Sequence, residues 1–222
     1  MKIISFSLWG NNPVYLNGAL ENLKLQEAVY PGWTCRFYVD KNNPIIEELK
    51  KYPCQIILKE PENYLGLFWR FEPAFDDSVE KFIVRDCDSR LNIREADAVR
   101  EWEESPYRVH SMKDHFYHRN YQLLGGMWGA LKNFLPDFKS LMENFIREAK
   151  NKKMFLKKDV YFDTDQYFLN SIIWPRISED CLIHDDLEKF SEQKTYFKKK
   201  LYPGMFVGQQ YGIDNQPLKT PI

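Results

Sequence analysis

Two carboxylates one residue apart, Asp86 and Asp88 in the stretch KFIVRDCDSR (residues 81–90), are where this sequence most plainly offers chemistry. Anions that close repel each other and lose solvation, so something must offset them. A single Mg²⁺ or Mn²⁺ would do so, since both favour carboxylate and phosphate oxygens together. Such a metal bridges a diphosphate and stabilises it as a leaving group. Arg85 and Arg90 flank the pair. They would offset its charge, although a plain surface ion pair uses the same residue types. Aspartate is common at any strand-to-loop corner. What sets this pair apart is the short, buried-looking strand from Lys81 to Arg85 that delivers it.

Other polar residues gather further along. HSMKDHFYH (110–118) holds four potential metal ligands, His110, Asp114, His115 and His118, but their spacing fits no common zinc pattern and no cysteine is near. Asp114 and His115 suit vicinal sugar hydroxyls better. In GGMWG (125–129), Gly125 and Gly126 permit the close backbone approach that a sugar ring needs. Trp128 would then be either an apolar wall or part of the core. Arg70 stands among Phe68, Trp69 and Phe71; its guanidinium suits a base or a phosphate, or snorkels to solvent. Lysines cluster in KNKKMFLKKD (150–159) and KTYFKKKLYPG (194–204). They suit a solvated face or peripheral contact with anionic lipid headgroups.

These residues need elements to position them. KIISFSL, WTCRFYVD, CQIILKE and KFIVRD read as strands. The segments between them, Pro13–Ala28, Pro44–Lys51 and YLGLFWRFEPAF, read as helices. That alternation predicts an α/β fold, with a largely parallel sheet and helices on both faces. Ligands of such sheets sit outside the carboxyl ends of the strands, which is where Asp86 and Asp88 fall. The second half is less regular. IREADAVREWEES, LPDFKSLMENFIREAKN and DTDQYFLNSIIW read as helices, the last with Asp163 or Thr164 as N-cap. YRVHSM, GGMWGALKN and CLIHDD read as strands or turns. No repeat or linker divides the chain, so one domain over 1–222 is expected.

Taken in order, these motifs resemble those of GT-A (Rossmann-like) glycosyltransferases, whose Asp-x-Asp motif holds a metal and the diphosphate of a nucleotide-sugar. FWRFEPAFDDSVEKFIVRDCDSR (68–90) resembles the helix, strand and Asp-x-Asp passage of that fold. LLGGMWGA (123–130) resembles its small-residue sugar-binding strand, and DQYFLN (165–170) the Asp-Gln-x-x-Leu-Asn helix of retaining galactosyltransferases of the lipooligosaccharide and glycogenin type. RDCDSR, EW, KDHFYH and GGMWG in succession look like small polysaccharide glycosyltransferases of bacteria and large algal viruses. The resemblance spans roughly residues 1–190. Tyr167 stands where a second aspartate is usual, and His184 lacks the usual Gly and Lys-Pro-Trp surroundings.

The resemblance implies a central, mostly parallel mixed sheet flanked by helices, in a single glycosyltransferase domain with a nucleotide-binding half at about 1–90 and a sugar and acceptor half at about 91–222. It implies Mn²⁺ or Mg²⁺ on Asp86 and Asp88, with His184 of IHDD as a late ligand, and a nucleotide-sugar donor of the UDP type. The loop SFSLWGNNPVY (5–15) would meet base and ribose through Phe6, Ser7, Leu8, Trp9 and Tyr15, with Asp40 placed similarly on the second strand. Arg70, Arg85 and Arg90, with Asp114, His115, Gly125 and Gly126, would surround donor phosphate and sugar. Asp165 and Gln166 would face the anomeric carbon, the carboxylate supporting an oxocarbenium-like transition state. The acceptor would be a glycan or glycoconjugate, and the Asp-Gln helix points to retention of configuration.

The bulk numbers narrow the alternatives. A net charge of −1 with 44% hydrophobic and 16% aromatic residues describes a globular chain without the basic face that nucleic acid requires. The opening MKIISFSLWGNNP is too short in apolar residues for a secretory leader. No run approaches the ~20 apolar residues of a membrane span. Cys35, Cys54, Cys87 and Cys181 form no CxxC pair. A reduced cytoplasmic setting is therefore expected, or a host cytoplasm if the chain is viral. Two other functions remain on the sequence alone. A phosphohydrolase or phosphotransferase would use Asp-x-Asp as nucleophile and acid, but normally after its first strand rather than its fourth. A carbohydrate-binding module without catalysis would show no metal-dependent transfer.

Overall fold

The computed structural model describes residues 1–61, 65–152, 156–157, 160–161, 163–187, 193–201 and 203–218. Its apolar runs form strands. β1 (Lys2–Leu8) and β2 (Thr34–Asp40) are buried along nearly their whole length, as strands covered on both faces must be. β3 (Gln55–Lys59), β4 (Lys81–Val84), β5 (Val109–Lys113), β6 (Trp128–Leu131), β9 (Cys181–Asp185) and β10 (Lys194–Thr195) complete an eight-stranded sheet in the order β10-β9-β5-β6-β4-β1-β2-β3. β7 (Leu156–Lys157) and β8 (Val160–Tyr161) pair separately. β6 runs antiparallel to both β4 and β5, and the other pairings of the large sheet are parallel.

The chain builds outward from β1 to β2 and β3, then returns to place β4 on the other side of β1. That reversal opens a crevice between the carboxyl ends of β1 and β4, where ligands of open α/β sheets bind. Helices cover both faces. α1 (Pro13–Val29) starts with Asn12 accepting from the Val14 N–H and Pro13 in the first turn. A short α2 (Ile46–Leu49) follows β2. α3 (Ile93–Glu103) is capped by Asn92, which accepts from the N–H groups of Arg94 and Glu95. α1 and α3 pack on one face, around Phe6, Phe37 and Trp102. The other face carries α4 (Phe138–Lys152), the segment 65–75 and the helical run 164–177, around Trp128, Phe138 and Phe168.

Two expected α-helices take other forms. Leu65–Phe75 is a 3₁₀ helix, with Pro73 inside it; proline has no N–H for the α-helical ladder. The DTDQYFLNSIIW helix begins as α5 (Thr164–Tyr167), widens into a π-helical turn at Phe168–Ile173 and tightens again as α6 (Trp174–Ile177). Asp163 precedes it in a left-handed conformation and makes no side-chain cap. Trp128 belongs to the core: its ring packs edge-on against Phe71 and Phe82 at 5.5 and 5.4 Å. No helix among the described residues is long and apolar enough to cross a membrane. The two lysine clusters lie partly outside those residues, at 153–155, 158–159 and 202.

Candidate active site

The Asp-x-Asp pair sits just beyond β4. Cys87 between the carboxylates points into the core, so Asp86 and Asp88 turn the other way; burial and both carboxylates hold the Cys87 thiol well above its usual range. Asp86 keeps a side chain 42% exposed, whereas Asp88 is buried. Burial, and then the charge of Asp86, pushes the Asp88 carboxyl up to about 6. Tyr15, on α1, faces the same space: burial and then the charges of Asp88 and Asp86 push its hydroxyl up to about 12.

Arg70 ties this pair to a distant part of the chain. The 3₁₀ helix is pinned to β1 by two hydroxyls: Ser5 Oγ donates to the Arg70 carbonyl at 2.7 Å, and Ser7 Oγ accepts from the Arg70 N–H at 2.9 Å. The buried guanidinium ion-pairs with Asp86 through one nitrogen and donates to Asp165 Oδ2 at 2.7 Å through another. Its Nε has no partner. A glycine loop passes directly alongside. A Cβ at Gly125 would lie 2.5 Å from Asp165 Oδ2, and one at Gly126 would overlap the Asp86 carboxylate. Neither glycine needs a left-handed backbone, so the requirement is for space.

The Asp-Gln helix holds this loop in place. Asn170 Oδ1 accepts from the N–H groups of Gln122 and Leu123 at 2.8 and 3.0 Å, and its amide nitrogen donates to the Leu123 carbonyl at 2.8 Å. With its amide oriented to satisfy both ends, Gln166 donates to the Leu123 carbonyl at 3.1 Å and accepts from the Gly125 N–H at 2.8 Å. The π-helical turn begins two residues beyond Gln166; such widenings often accompany functional sites.

Several expected residues do not join this cluster. His184 lies in β9, where its Nδ1 is 2.9 Å from His110 Nε2, and its Nε2 has no hydrogen-bond partner. Burial holds both rings below their usual pKa, His184 at about 4. The pair packs against Trp102 and Phe197 and is not brought to Asp88. Arg85 points into the core and ion-pairs with the buried Glu95 at 3.3 Å, beside the Tyr30 hydroxyl. Phe6 stacks on Phe37 in the core, and Leu8 is buried with it. Asp114 is committed to Arg94 at 3.0 Å and to the Val207 N–H at 3.1 Å, with burial pushing it up to about 6. His115 stacks on Phe206 at 3.8 Å. Trp9 rests on the start of the 3₁₀ helix, against Gly66. Asp40 closes a turn by accepting from the Asn42 N–H at 2.9 Å, and Asn43 from that turn donates to the Gly10 carbonyl at 2.8 Å. Trp9 and Asp40 thus stand beside each other's loops at the ends of β1 and β2.

No family model matches this chain, and no curated protein matches it. Among solved structures, a glycosyltransferase involved in the glycosylation of the major capsid of PBCV-1 superposes with a TM-score of 0.53 at 16% identity, covering 83% of this chain and 81% of that one. The fold is GT-A. A second structure, the glycosyltransferase GlyE of Streptococcus pneumoniae TIGR4, superposes with a TM-score of 0.48 at 10% identity, and the match spans 44% of its length.

The sequence reading missed one contributor to the mouth of this GT-A sheet, the C-terminal segment 203–218. Gln210 donates to Asp88 Oδ2 at 2.9 Å, and the Tyr211 N–H donates to the Asp88 carbonyl at 2.8 Å. Arg90 lies over the Tyr211 ring at 4.7 Å and donates to Asn215 at 2.8 Å. Arg90 thus anchors this segment beside the carboxylates. No periodic pattern in PGMFVGQQYGIDNQP (203–217) announces that contact, since its partners lie more than a hundred residues earlier in the chain.

Proposed function

We propose that this protein is a metal-dependent glycosyltransferase, moving a sugar from a nucleotide-sugar of the UDP type to a glycan or glycoconjugate acceptor. The observation that carries the reading is the convergence of separate segments on one guanidinium. Arg70 joins Asp86 of the Asp-x-Asp pair to Asp165 of the Asp-Gln helix, with Gly125 and Gly126 pressed against both. A site built for folding alone has no need of a side-chain-free residue against each of these carboxylates, the buried Asp165 and the exposed Asp86.

The donor set fits a hard divalent cation. Asp86 and Asp88 are both oxygen donors, and burial and then the charge of Asp86 raise Asp88, a penalty that a bound cation would relieve. Among the described residues no group of three His, Cys, Asp or Glu side chains could hold a metal, so diphosphate oxygens and water would complete the coordination. When bound, Mn²⁺ or Mg²⁺ supplies positive charge to the departing diphosphate.

The chain's own residues account for the rest. Base and ribose would lie near the ends of β1 and β2, within reach of Trp9, Tyr15 and Asp40. Asp165, held by Arg70, favours positive charge developing at the anomeric carbon. Gln166 is fixed by backbone groups at both ends of its amide and so holds the glycine loop beside Asp165. The bond from the anomeric carbon to the diphosphate oxygen breaks, and a bond to the acceptor oxygen forms. The acceptor's proton leaves with the nucleoside diphosphate. The Asp-Gln helix favours retention of configuration.

A panel of UDP-sugars with Mn²⁺ tests the reading, with UDP release and the anomeric configuration of the product followed by NMR. Metal-dependent UDP release with a retained anomer is expected. No release from any nucleotide-sugar would remove the function, and an inverted anomer would remove the retaining mechanism.

A further inference from the structure

Among the described residues, the most exposed large apolar side chain is Phe116, in the five-residue 3₁₀ helix Phe116–Asn120 between β5 and the glycine loop. Phe116 is 64% exposed and its neighbour Tyr117 is 49% exposed. Their frame is fixed from beneath. His118 is buried, and its Nδ1 accepts from the N–H groups of Asp114 and His115 at 3.2 Å each. His115 accepts from the Tyr117 N–H at 3.4 Å while its ring stacks on Phe206. The Phe116 ring is thus held largely in water on this support, with the half-exposed Tyr117 ring beside it at 6.0 Å and against His115 at 5.2 Å. The Arg119 guanidinium lies over the Phe116 ring at 4.9 Å, and no carboxylate ion-pairs with it among the described residues.

This helix leads into the reaction centre. The next residue, Tyr121, is half-buried and close enough to Asp163 and Asp165 that, after burial itself, their charges raise its hydroxyl. The residues after it, Gln122 and Leu123, are the ones held by Asn170 of the Asp-Gln helix. The chain thus runs without a break from the exposed rings to the side of Asp165.

We propose that Phe116, Tyr117 and Arg119 form the acceptor subsite and that its ligand is a saccharide, which rests on the transfer reaction proposed above. A pyranose has an apolar C–H face and a rim of hydroxyls. Exposed rings match the face, a phenol matches an amphipathic partner, and the five N–H donors of an arginine match vicinal hydroxyls. Two rings and one cation span one or two sugar units. They fall far short of the ~800 Å² per partner of a stable protein interface, and of the several clustered basic residues that anionic lipid recognition uses.

Phe116→Ala and Tyr117→Ala test this, because both side chains are exposed and the fold should tolerate their loss. The measurements are donor hydrolysis by water, transfer to maltose, cellobiose, lactose and simple methyl glycosides, and saturation-transfer NMR of the same sugars. Hydrolysis should stay within about twofold of wild type, while KM for the accepted saccharide rises about tenfold or more, the size of one lost stacking contact. Saturation transfer to that saccharide's ring protons should weaken in parallel. Unchanged KM and unchanged NMR signals in both variants would overturn the assignment. So would a dimer that dissociates in Phe116→Ala, or phosphatidylserine-vesicle binding that depends on Phe116, because the rings would then serve a second copy or a lipid surface. If the wild-type protein cleaves no donor, the transfer reaction fails, and sugar binding by NMR still decides the platform by itself.

Discussion

Two arginines in this protein each hold two aspartates, and they do different work. Arg70 joins Asp86 and Asp165. Arg94 joins Asp114 at 3.0 Å and Asp186 at 2.5 Å. Around Arg94 the bonding capacity is spent on the protein itself. Its guanidinium also donates to the Lys199 carbonyl and lies over the Phe197 ring at 4.1 Å, while Asp114 and Asp186 accept from the N–H groups of Val207 and Phe197. That cluster lashes the C-terminal segment to α3. Around Arg70 capacity is left over. Its Nε has no partner, Asp86 reaches solvent, and two glycines keep the adjoining space free of side chains. The same residue types make a clamp in one place and a candidate reaction site in the other, and the unspent bonding marks the site.

The sharpest way to break that comparison is to neutralise one aspartate in each cluster. Asp165→Asn should lower turnover about 100-fold or more with a modest change in donor affinity, because the lost charge favours the transition state over the ground state. Asp114→Asn should do the reverse. Turnover should stay within a few-fold of wild type, while stability falls by about 1–3 kcal/mol through a weakened buried network, seen as a lower Tm. Initial rates and thermal melts on the same samples decide between the two. If Asp114→Asn abolishes turnover in a normally stable protein, the clamp has been misread.

A second contrast uses glycines. A Cβ at Gly126 would overlap the Asp86 carboxylate, whereas one at Gly129 would lie 2.7 Å from the rigid Phe82 carbonyl inside the sheet. Gly126→Ala should weaken Mn²⁺-dependent nucleotide binding about tenfold by displacing Asp86, with the Tm little changed. Gly129→Ala should instead destabilise by about 1–3 kcal/mol, as overpacking does. Titration calorimetry and thermal melts separate these outcomes, and equal loss of stability in both would erase the contrast.

The pH dependence follows from Asp88, held up at about 6. A cation needs the ionised carboxylate, and a proton competes for it. Apparent Mn²⁺ affinity should be flat above about pH 7 and fall as pH drops below about 6. An affinity that is level down to pH 5 would take Asp88 out of the metal site. The smallest effect is expected at Gln210, an exposed side chain whose amide donates to Asp88. Gln210→Ala should change Mn²⁺ affinity by no more than about fivefold, the scale of one exposed hydrogen bond.

What could be read from the sequence was whatever local pattern carries. The apolar runs of β1, β2 and β4 announced a parallel sheet, and the strand end delivered Asp86 and Asp88 to its mouth. Gly125–Gly126 and the Asp-Gln helix could be found as motifs, yet only the fold shows that Arg70 sits between them. The placements that local pattern does not give share a cause. Position in the chain alone suggests His184 for the mouth, but β9 pairs with β5 and turns it toward His110. Arg85 adjoins Asp86 in sequence, but strand alternation sends neighbours to opposite faces, and it pairs with Glu95 instead. Gln210 and Tyr211 reach Asp88 across more than a hundred residues, a distance over which helix and strand periodicities say nothing.

The most direct test of the central claim is calorimetric titration of a UDP-sugar donor into wild-type protein and into Asp86→Ala/Asp88→Ala, each with and without Mn²⁺. The account predicts that wild type binds the donor much more tightly with Mn²⁺, that the double variant shows no such gain, and that both melt within a few degrees of each other. A metal-dependent gain that survives loss of both aspartates, in a folded protein, would contradict it.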